Sequence, residues 1–519
     1  MATLDGFRYA ARHATRGFRV GALALLAGLA TCIVPVAYGT TSTRTAASTA
    51  QTAPRTLAVL PFTMPNNPVN DGWFTTGFSR ELIRTLGHNP HLRVTAWRSA
   101  QHFQDSSEPP AAIGKALGVQ ALLRGTLASS GQQLVMFVKL TDAHTGATLW
   151  SGSFSAATPD LGNAETQIAQ RTAHALHVPS APPATVKPPT AKAHLLALYA
   201  QATLWNANSP QAVAAARHYA EQAVALDAHY AEAHALVAQA WMAIVSNMPG
   251  TMQEAAALPE VSVAARKALA IDPDNVDALY ALASADSANN RLNAAKPLYQ
   301  RALKVDPSYA SVWYALGDMA HSLVAARKDF ATAVRLDPFN FAAQNNLADM
   351  YLDLGEYRQA LPAAVAYRTQ QPNDVGAAFL LALNETLLDQ PQAAITAFDI
   401  VRPPQAFDRQ LDAAGKLAYE VRVHPALRVK AVAAVKALGD WSSLNPEALE
   451  SVMQAELALG ERAQVLAQLP HLCGESPVSC VDLGSFPLWN PLHGGRRFAE
   501  LVKRFNTMST GGKVASRAQ

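Results

Sequence analysis

A chain of 519 residues exceeds one ordinary domain and predicts two to four folding units. Half of the residues are hydrophobic and 16% are charged, which excludes a mainly disordered chain. Its 42 basic against 39 acidic residues leave a net charge of +3, without the clustered basic surplus of a nucleic-acid binder, and three cysteines are too few for a disulfide scaffold.

Arg8, Arg12, Arg16 and Arg19 precede VGALALLAGLATCIVPVAY, residues 20–38, a stretch of 19 residues without a charge. As a helix this stretch just spans a bilayer core of about 30 Å. The expectation is a single N-terminal transmembrane helix, with residues 1–19 as a short cytoplasmic segment and the rest sent across by the positive-inside bias. Two other readings stay open: a cleaved signal, since Ala37-Tyr38-Gly39 resembles a small-x-small site, and a lipoprotein signal at Leu29-Ala30-Thr31-Cys32. All three export residues 40–519. Residues 39–55, small and polar, form a flexible linker.

Residues 56–178 mix strand and helix signals. TLAVLPF, 56–62, reads as a buried first strand. Gly72 to Leu86 has helical spacing, with Phe74, Phe78, Leu82, Ile83 and Leu86 on one face. LRVTAW, 92–97, is a second strand, and Pro110 to Leu117 a short helix opened by proline. Residues 119–154 read as three strands joined by SSGQQ and DAHTG turns, and Asp160 to Leu176 as a helix. The sum is an α/β domain, a mixed sheet with flanking helices. PSAPPATVKPPT, 179–190, is a stiff linker with five prolines.

From residue 191 the period becomes helical, and the chain repeats. LDAHYAEAHALVA from Leu226, IDPDNVDALYALA from Ile271, VDPSYASVWYALG from Val305, LDPFNFAAQNNLA from Leu336 and QQPNDVGAAFLLA from Gln370 align. Pro273, Pro307, Pro338 and Pro372 stand 34, 31 and 34 residues apart. Trp313, Leu316 and Gly317 give W-x2-L-G. Ala295, Tyr299, Ala302 and Pro307, then Ala326, Phe330, Ala333 and Pro338, give the small-x3-aromatic-x2-Ala-x4-Pro pattern of a second helix. These residues resemble the tetratricopeptide repeat, in which small side chains let paired helices approach and proline ends the second. About six helix pairs are expected over residues 191–402, an all-α solenoid, with an insertion at 247–260. Residues 403–505 stay helical but lose the phase and are expected to cap the array; 506–519 read as a disordered tail.

The segment from Ala58 to Trp150 also resembles the TolB-like amino-terminal module that precedes tetratricopeptide repeats in bacterial membrane sensors. The matches are Ala58 to Phe62, Phe74 to Leu82, Leu92 to Val94, Leu117 to Gly125 and Asp142 to Trp150, with Phe78 where leucine is usual. The resemblance extends to PLWNPLHGGRRFAELVKRF at 487–505. Relatives of this layout include the extracytoplasmic parts of CadC-type transcription regulators and adenylate cyclases. It implies an inner-membrane, single-pass protein with its bulk in the periplasm. With 19 residues before the membrane there is no room for a cytoplasmic output domain, so the resemblance implies binding or assembly and not catalysis.

No phosphate loop follows TLAVLPF, and there is no G-x-S-x-G elbow or H-E-x-x-H helix, so neither an enzymatic activity nor a cofactor is expected. His88 and His91 read as surface histidines lacking further metal ligands, and Trp97 and Trp150 as core aromatics of strands. Cys473 and Cys480 are close enough in sequence for a disulfide in an oxidising compartment. By the repeat family's register, Tyr280, Ser284, Tyr314, Asp318, Asn345, Asp349, Phe379 and Leu383 line the concave groove and are the candidates for contact with a protein partner. The expected function is a membrane-anchored interaction scaffold that binds protein and not nucleic acid. The alternative is a sensor component lacking its own output domain.

Overall fold

The computed structural model describes residues 55–65, 72–130, 133–157, 161–180, 188–207, 209–247, 252–320, 322–399, 403–476, 480, 483–484 and 486–510. The expected transmembrane segment at 20–38 and nearly all of the linker at 39–55 lie outside the described residues. Among those described, no helix is long and apolar enough to cross a membrane.

The first domain holds a five-stranded sheet in the order β2-β1-β3-β4-β5. Strand β1 (Arg55–Val59) pairs in parallel with β2 (Leu92–Val94) and with β3 (Ala121–Ser130). Strands β4 (Gln133–Asp142) and β5 (Thr148–Ala157) extend it as an antiparallel meander. The β4–β5 turn is tied by Asp142, whose Oδ1 accepts the N–H groups of His144 at 2.9 Å and Thr145 at 2.7 Å. Alternation in β4 buries Met136, Val138 and Leu140 on one face and leaves Phe137 and Lys139 exposed on the other.

The buried face lies under α1 (Gly72–Gly87) and α4 (Leu161–Ala175), whose Phe74, Phe78, Leu82, Leu86 and Ile168 join Leu57, Val59, Leu123 and Leu140 in one core. The opposite face is covered only near β1. There α3 (Pro110–Leu117), with Phe103, packs Ile113 and Leu117 on Ala58, Leu60 and Leu122. Gly125 of β3 is small for a reason found in the first strand's extension, because a Cβ there would stand 2.0 Å from the Phe62 ring.

The second strand is shorter than LRVTAW predicts. The chain leaves the sheet after Val94, Ala96 donates its N–H to the Leu336 carbonyl at 2.9 Å, and Trp97 opens the short helix α2 (Trp97–Ala100) instead of sitting in a strand. His88 is not a surface histidine. It is half-buried beside Arg84, and burial, aided by that cation, lowers its pKa to about 4.

Six helix pairs follow: α5 (Ala191–Trp205) with α6 (Pro210–Leu226), α7 (Ala231–Asn247) with α8 (Met252–Ile271), and α9 (Val276–Ala288) with α10 (Leu292–Val305). Then come α11 (Ala310–Asp318) with α12 (Leu323–Leu336), α13 (Phe341–Asp353) with α14 (Tyr357–Gln370), and α15 (Val375–Leu387) with α16 (Pro391–Thr396). Their seams are alanine. Ala235, Ala238, Ala265, Ala268, Ala278, Ala281 and Ala285 form one core, while the second-helix aromatics Tyr299, Phe330 and Tyr367 are buried between pairs. After Pro273, Pro338 and Pro372 a polar residue two positions on caps the next first helix; after Pro307 that place is taken by Tyr309, which makes no side-chain cap. Asn275 Oδ1 accepts from Ala278 N at 2.9 Å and Asn340 Oδ1 from Ala343 N at 3.2 Å, caps worth about 1 kcal/mol each. Of the 247–260 insertion, Asn247 ends α7 and residues 252–260 are absorbed into α8, which reaches 20 residues.

Pairing continues after the sequence phase is lost, through α17 (Ala406–Glu420) with α18 (Arg428–Lys436) and α19 (Pro446–Ala458) with α20 (Arg462–Glu475). Cys473 of α20 is joined by a disulfide to Cys480, both buried. The last helix, α21 (Arg496–Thr510), runs into the stretch expected to be a disordered tail.

Candidate functional site

The α/β domain is docked on the repeats. Helix α1 crosses α5 at Gly77, where an added Cβ would lie 2.8 Å from the Leu198 carbonyl oxygen, so only glycine allows the approach. Trp73 stacks on Tyr199 with ring centroids 3.3 Å apart. Arg80 donates to the Gln201 carbonyl at 3.1 Å and lies 4.7 Å over the Trp205 ring, and Trp205 Nε1 donates to Gln101 Oε1 at 2.9 Å.

A second contact uses the turns between repeats. Ser308 Oγ accepts from Val94 N at 3.0 Å, and its hydroxyl donates to the Leu92 carbonyl at 3.5 Å. One repeat on, Ser99 Oγ donates to Asp337 Oδ1 at 2.6 Å and accepts from Phe339 N at 2.9 Å. His102 stacks on Phe339 with centroids 4.4 Å apart. Asp306, whose Oδ1 accepts from Ser308 N at 2.7 Å, and Asp337 belong to the Asp-Pro turns that the sequence marks as repeat boundaries. The turns therefore terminate helices and also hold the domain.

Between these contacts lies a row of buried polar groups. Glu81 and Arg84 of α1 form an ion pair, with Arg84 Nε 3.0 Å from Glu81 Oε2. Burial works against the Glu81 carboxylate, but Arg84 outweighs it and lowers the pKa to about 2. Facing them, Glu232 accepts from Asn275 Nδ2 at 3.1 Å, and burial, reinforced by Asp277, raises its pKa to about 8. Burial raises Asp306 to about 7. Tyr309 donates its hydroxyl to Asp277 Oδ1 at 2.5 Å. His194 stands 3.6 Å from Glu165; burial lowers its pKa, but the Glu165 contact raises it by more.

The eight sequence candidates for the groove divide in two. Tyr280, Ser284, Tyr314 and Asp318 are half-buried on the first helices of adjacent pairs. Ser284 and Tyr299 share a hydrogen bond of 3.0 Å, and Asn346 Nδ2 donates to Tyr314 at 3.1 Å and Asp318 at 3.4 Å. Asn345, Asp349, Phe379 and Leu383 are buried instead of lining an open groove, which corrects their assignment as accessible groove residues. Helix α19 lies against α15 there: Gln454 Nε2 donates to the Phe379 carbonyl at 2.7 Å, and Glu447, Glu450 and Phe486 join all four in lining a small cavity of about 40 Å³. The Phe379 ring itself packs edge-on to Phe398 at 5.1 Å. Sequence reasoning missed the docking residues Ser99 and Ser308, for which no local pattern exists, and placed Gly77 only within the motif from Phe74 to Leu82, without a docking role. Among the described residues no group of three or more His, Cys, Asp or Glu side chains is placed to hold a metal ion.

Residues 262–319 and 324–364 each match a tetratricopeptide-repeat family model, so α9 to α13 belong to repeats of that family. A putative adenylate cyclase 3 of Rhizobium meliloti (strain 1021) is 23% identical over 122 residues, 24% of this chain. The match spans only 21% of that relative's length. Among solved structures, Pseudomonas aeruginosa PilF is 16% identical with a TM-score of 0.33, covering 40% of this chain and 89% of its own. A tetratricopeptide repeat protein from Parabacteroides merdae is 12% identical with a TM-score of 0.30, covering 51% and 99%. Yeast Tom70 is 15% identical with a TM-score of 0.34, covering 68% and 74%.

Proposed function

We propose that this chain is a non-enzymatic interaction scaffold, anchored in the inner membrane by residues 20–38 with its bulk in the periplasm. It would hold a protein partner on the inner face around Tyr280, Ser284, Tyr314 and Asp318. The observation that carries this reading is the row of half-buried tyrosine, serine and aspartate side chains on adjacent first helices, backed by hydrogen bonds to Tyr299 and Asn346 beneath, a surface that gives hydrogen bonds and aromatic contact to a chain laid across it. A photo-crosslinking residue in place of Tyr314 is expected to capture a partner, whereas one at Val429, 83% exposed on α18, is not. Identical products at both positions, or none at Tyr314, would sink the reading. The topology rests on the arginines before residue 20 and the uncharged stretch after it. Alkaline phosphatase fused after residue 60 is expected to be active; an inactive fusion contradicts export.

The second reading, a TolB-like sensor component that signals through a partner's cytoplasmic domain, is favoured by the match to part of a putative adenylate cyclase. The crosslinked partner separates the two. An envelope assembly protein supports the scaffold, and a membrane regulator, cyclase or kinase supports the sensor.

A further inference from the structure

The sheet of the first domain has one finished face and one unfinished face. Beyond Leu122 and Leu60, where α3 stops covering it, the outer face of β3, β4 and β5 forms an open depression of about 550 Å³, within the size range of small-molecule sites. Its floor is set by strand register. Arg124 of β3 stands directly opposite Lys139 of β4, which stands opposite Ser151 of β5. In the next row Thr126 opposes Phe137, which opposes Ser153. Like charges directly opposed across an antiparallel pair are destabilising. No described carboxylate forms an ion pair with either cation. Arg124 Nη2 is shielded from solvent and has no hydrogen-bond acceptor. Burial lowers the Arg124 pKa. Beside the two cations Phe137 leaves 53% of its surface exposed, among the most exposed of the large apolar side chains.

We propose that this face binds a small organic anion, whose single carboxylate or phosphate group is held by Arg124 and Lys139 and whose apolar body lies on Phe137. The guanidinium fork and the neighbouring ammonium supply charge-assisted donors, Ser151 and Thr126 supply hydroxyls on either side, and the phenyl ring supplies a flat apolar contact. Asp105, at the rim of the same depression, sets a limit. Its carboxylate repels a second acidic group, which selects a ligand with one anionic head over a polyanion such as a nucleic acid.

Titration calorimetry of the full chain with phenylacetate, phenyl phosphate and inorganic phosphate tests this. Phenylacetate or phenyl phosphate is expected to bind saturably at one site per chain, and whichever binds more tightly identifies the acid group. Substituting both Arg124→Gln and Lys139→Gln is expected to weaken that binding at least about tenfold. Phe137→Ser is expected to weaken the aromatic anion while leaving the weaker inorganic phosphate binding unchanged. Without ligand, Lys139→Gln alone is expected to raise the thermal midpoint, because it relieves the opposed charges; this also shows that the variant folds. Absence of binding by both aromatic anions at about 10 mM, or equal binding by the doubly substituted chain, overturns the proposal.

Discussion

Gly77 shows how much one missing side chain decides. It lies inside α1, where glycine costs roughly 0.5–1 kcal/mol relative to alanine. The cost is accepted because the Leu198 backbone of α5 occupies the space a Cβ would need. Gly77→Val therefore pushes α1 away from α5, separating Trp73 from Tyr199 and Arg80 from Gln201. The expected loss is about 1–3 kcal/mol in urea unfolding, with the α/β domain released in an earlier transition seen by tryptophan fluorescence. Gly72→Ala on the same helix is the control, since nothing lies within 4 Å of its Cβ position, and it should stay within about 0.5 kcal/mol of the parent. A single transition in Gly77→Val at the parent's midpoint would refute the account. The sequence places Gly77 on a helix but gives no hint of its partner, which is 121 positions away on another domain.

Elements were legible where the information is local. Phe74, Phe78, Leu82 and Leu86 recur at helical spacing because they share one core, and α1 follows from that pattern. The repeats were legible because the small, aromatic and proline positions do the same steric work in each copy that keeps them, as Tyr299 and Phe330 do before Pro307 and Pro338. What escaped the sequence is where outside partners intervene. LRVTAW has the composition of a six-residue strand, yet the Ala96 amide is taken by Leu336, and the strand ends at Val94. The groove assignment fails at Phe379 and Leu383 for a similar reason. The register that puts a side chain on the inner face is correct locally, but α19, outside the periodic array, folds onto that face and buries it. Four of the eight candidates thus remain half-exposed, and four have become core.

At the scale of the whole molecule, the α/β domain and the repeats meet across ionisable groups that gain or lose protons on assembly, so their union depends on pH. Glu232 moves from 4.5 to about 8 and Asp306 from 3.8 to about 7, both chiefly by burial. A carboxyl raised in the folded state holds a proton that the unfolded chain releases. Its contribution is present below the unfolded pKa and is lost as pH rises towards the folded one. His194, raised by Glu165, has the same sign. The groups lowered on folding oppose: Glu81, lowered to about 2, His88, lowered to about 4, and His102 and His234, lowered chiefly by burial. Their windows close at the unfolded values of 4.5 and 6.5, so above pH 6.5 only the destabilising trend remains. The thermal midpoint is accordingly expected to fall as pH is raised from 6.5 to about 8. Substituting both Glu232→Gln and Asp306→Asn keeps the shape of the groups and removes their titration, so the fall should flatten and the variant should exceed the parent at the alkaline end. Asn275, the hydrogen-bond partner of Glu232, can still bond the new amide through its own carbonyl or amide group. Parallel midpoint curves for parent and variant would place the pH dependence elsewhere and remove these carboxyls from the account of how the two domains are held together.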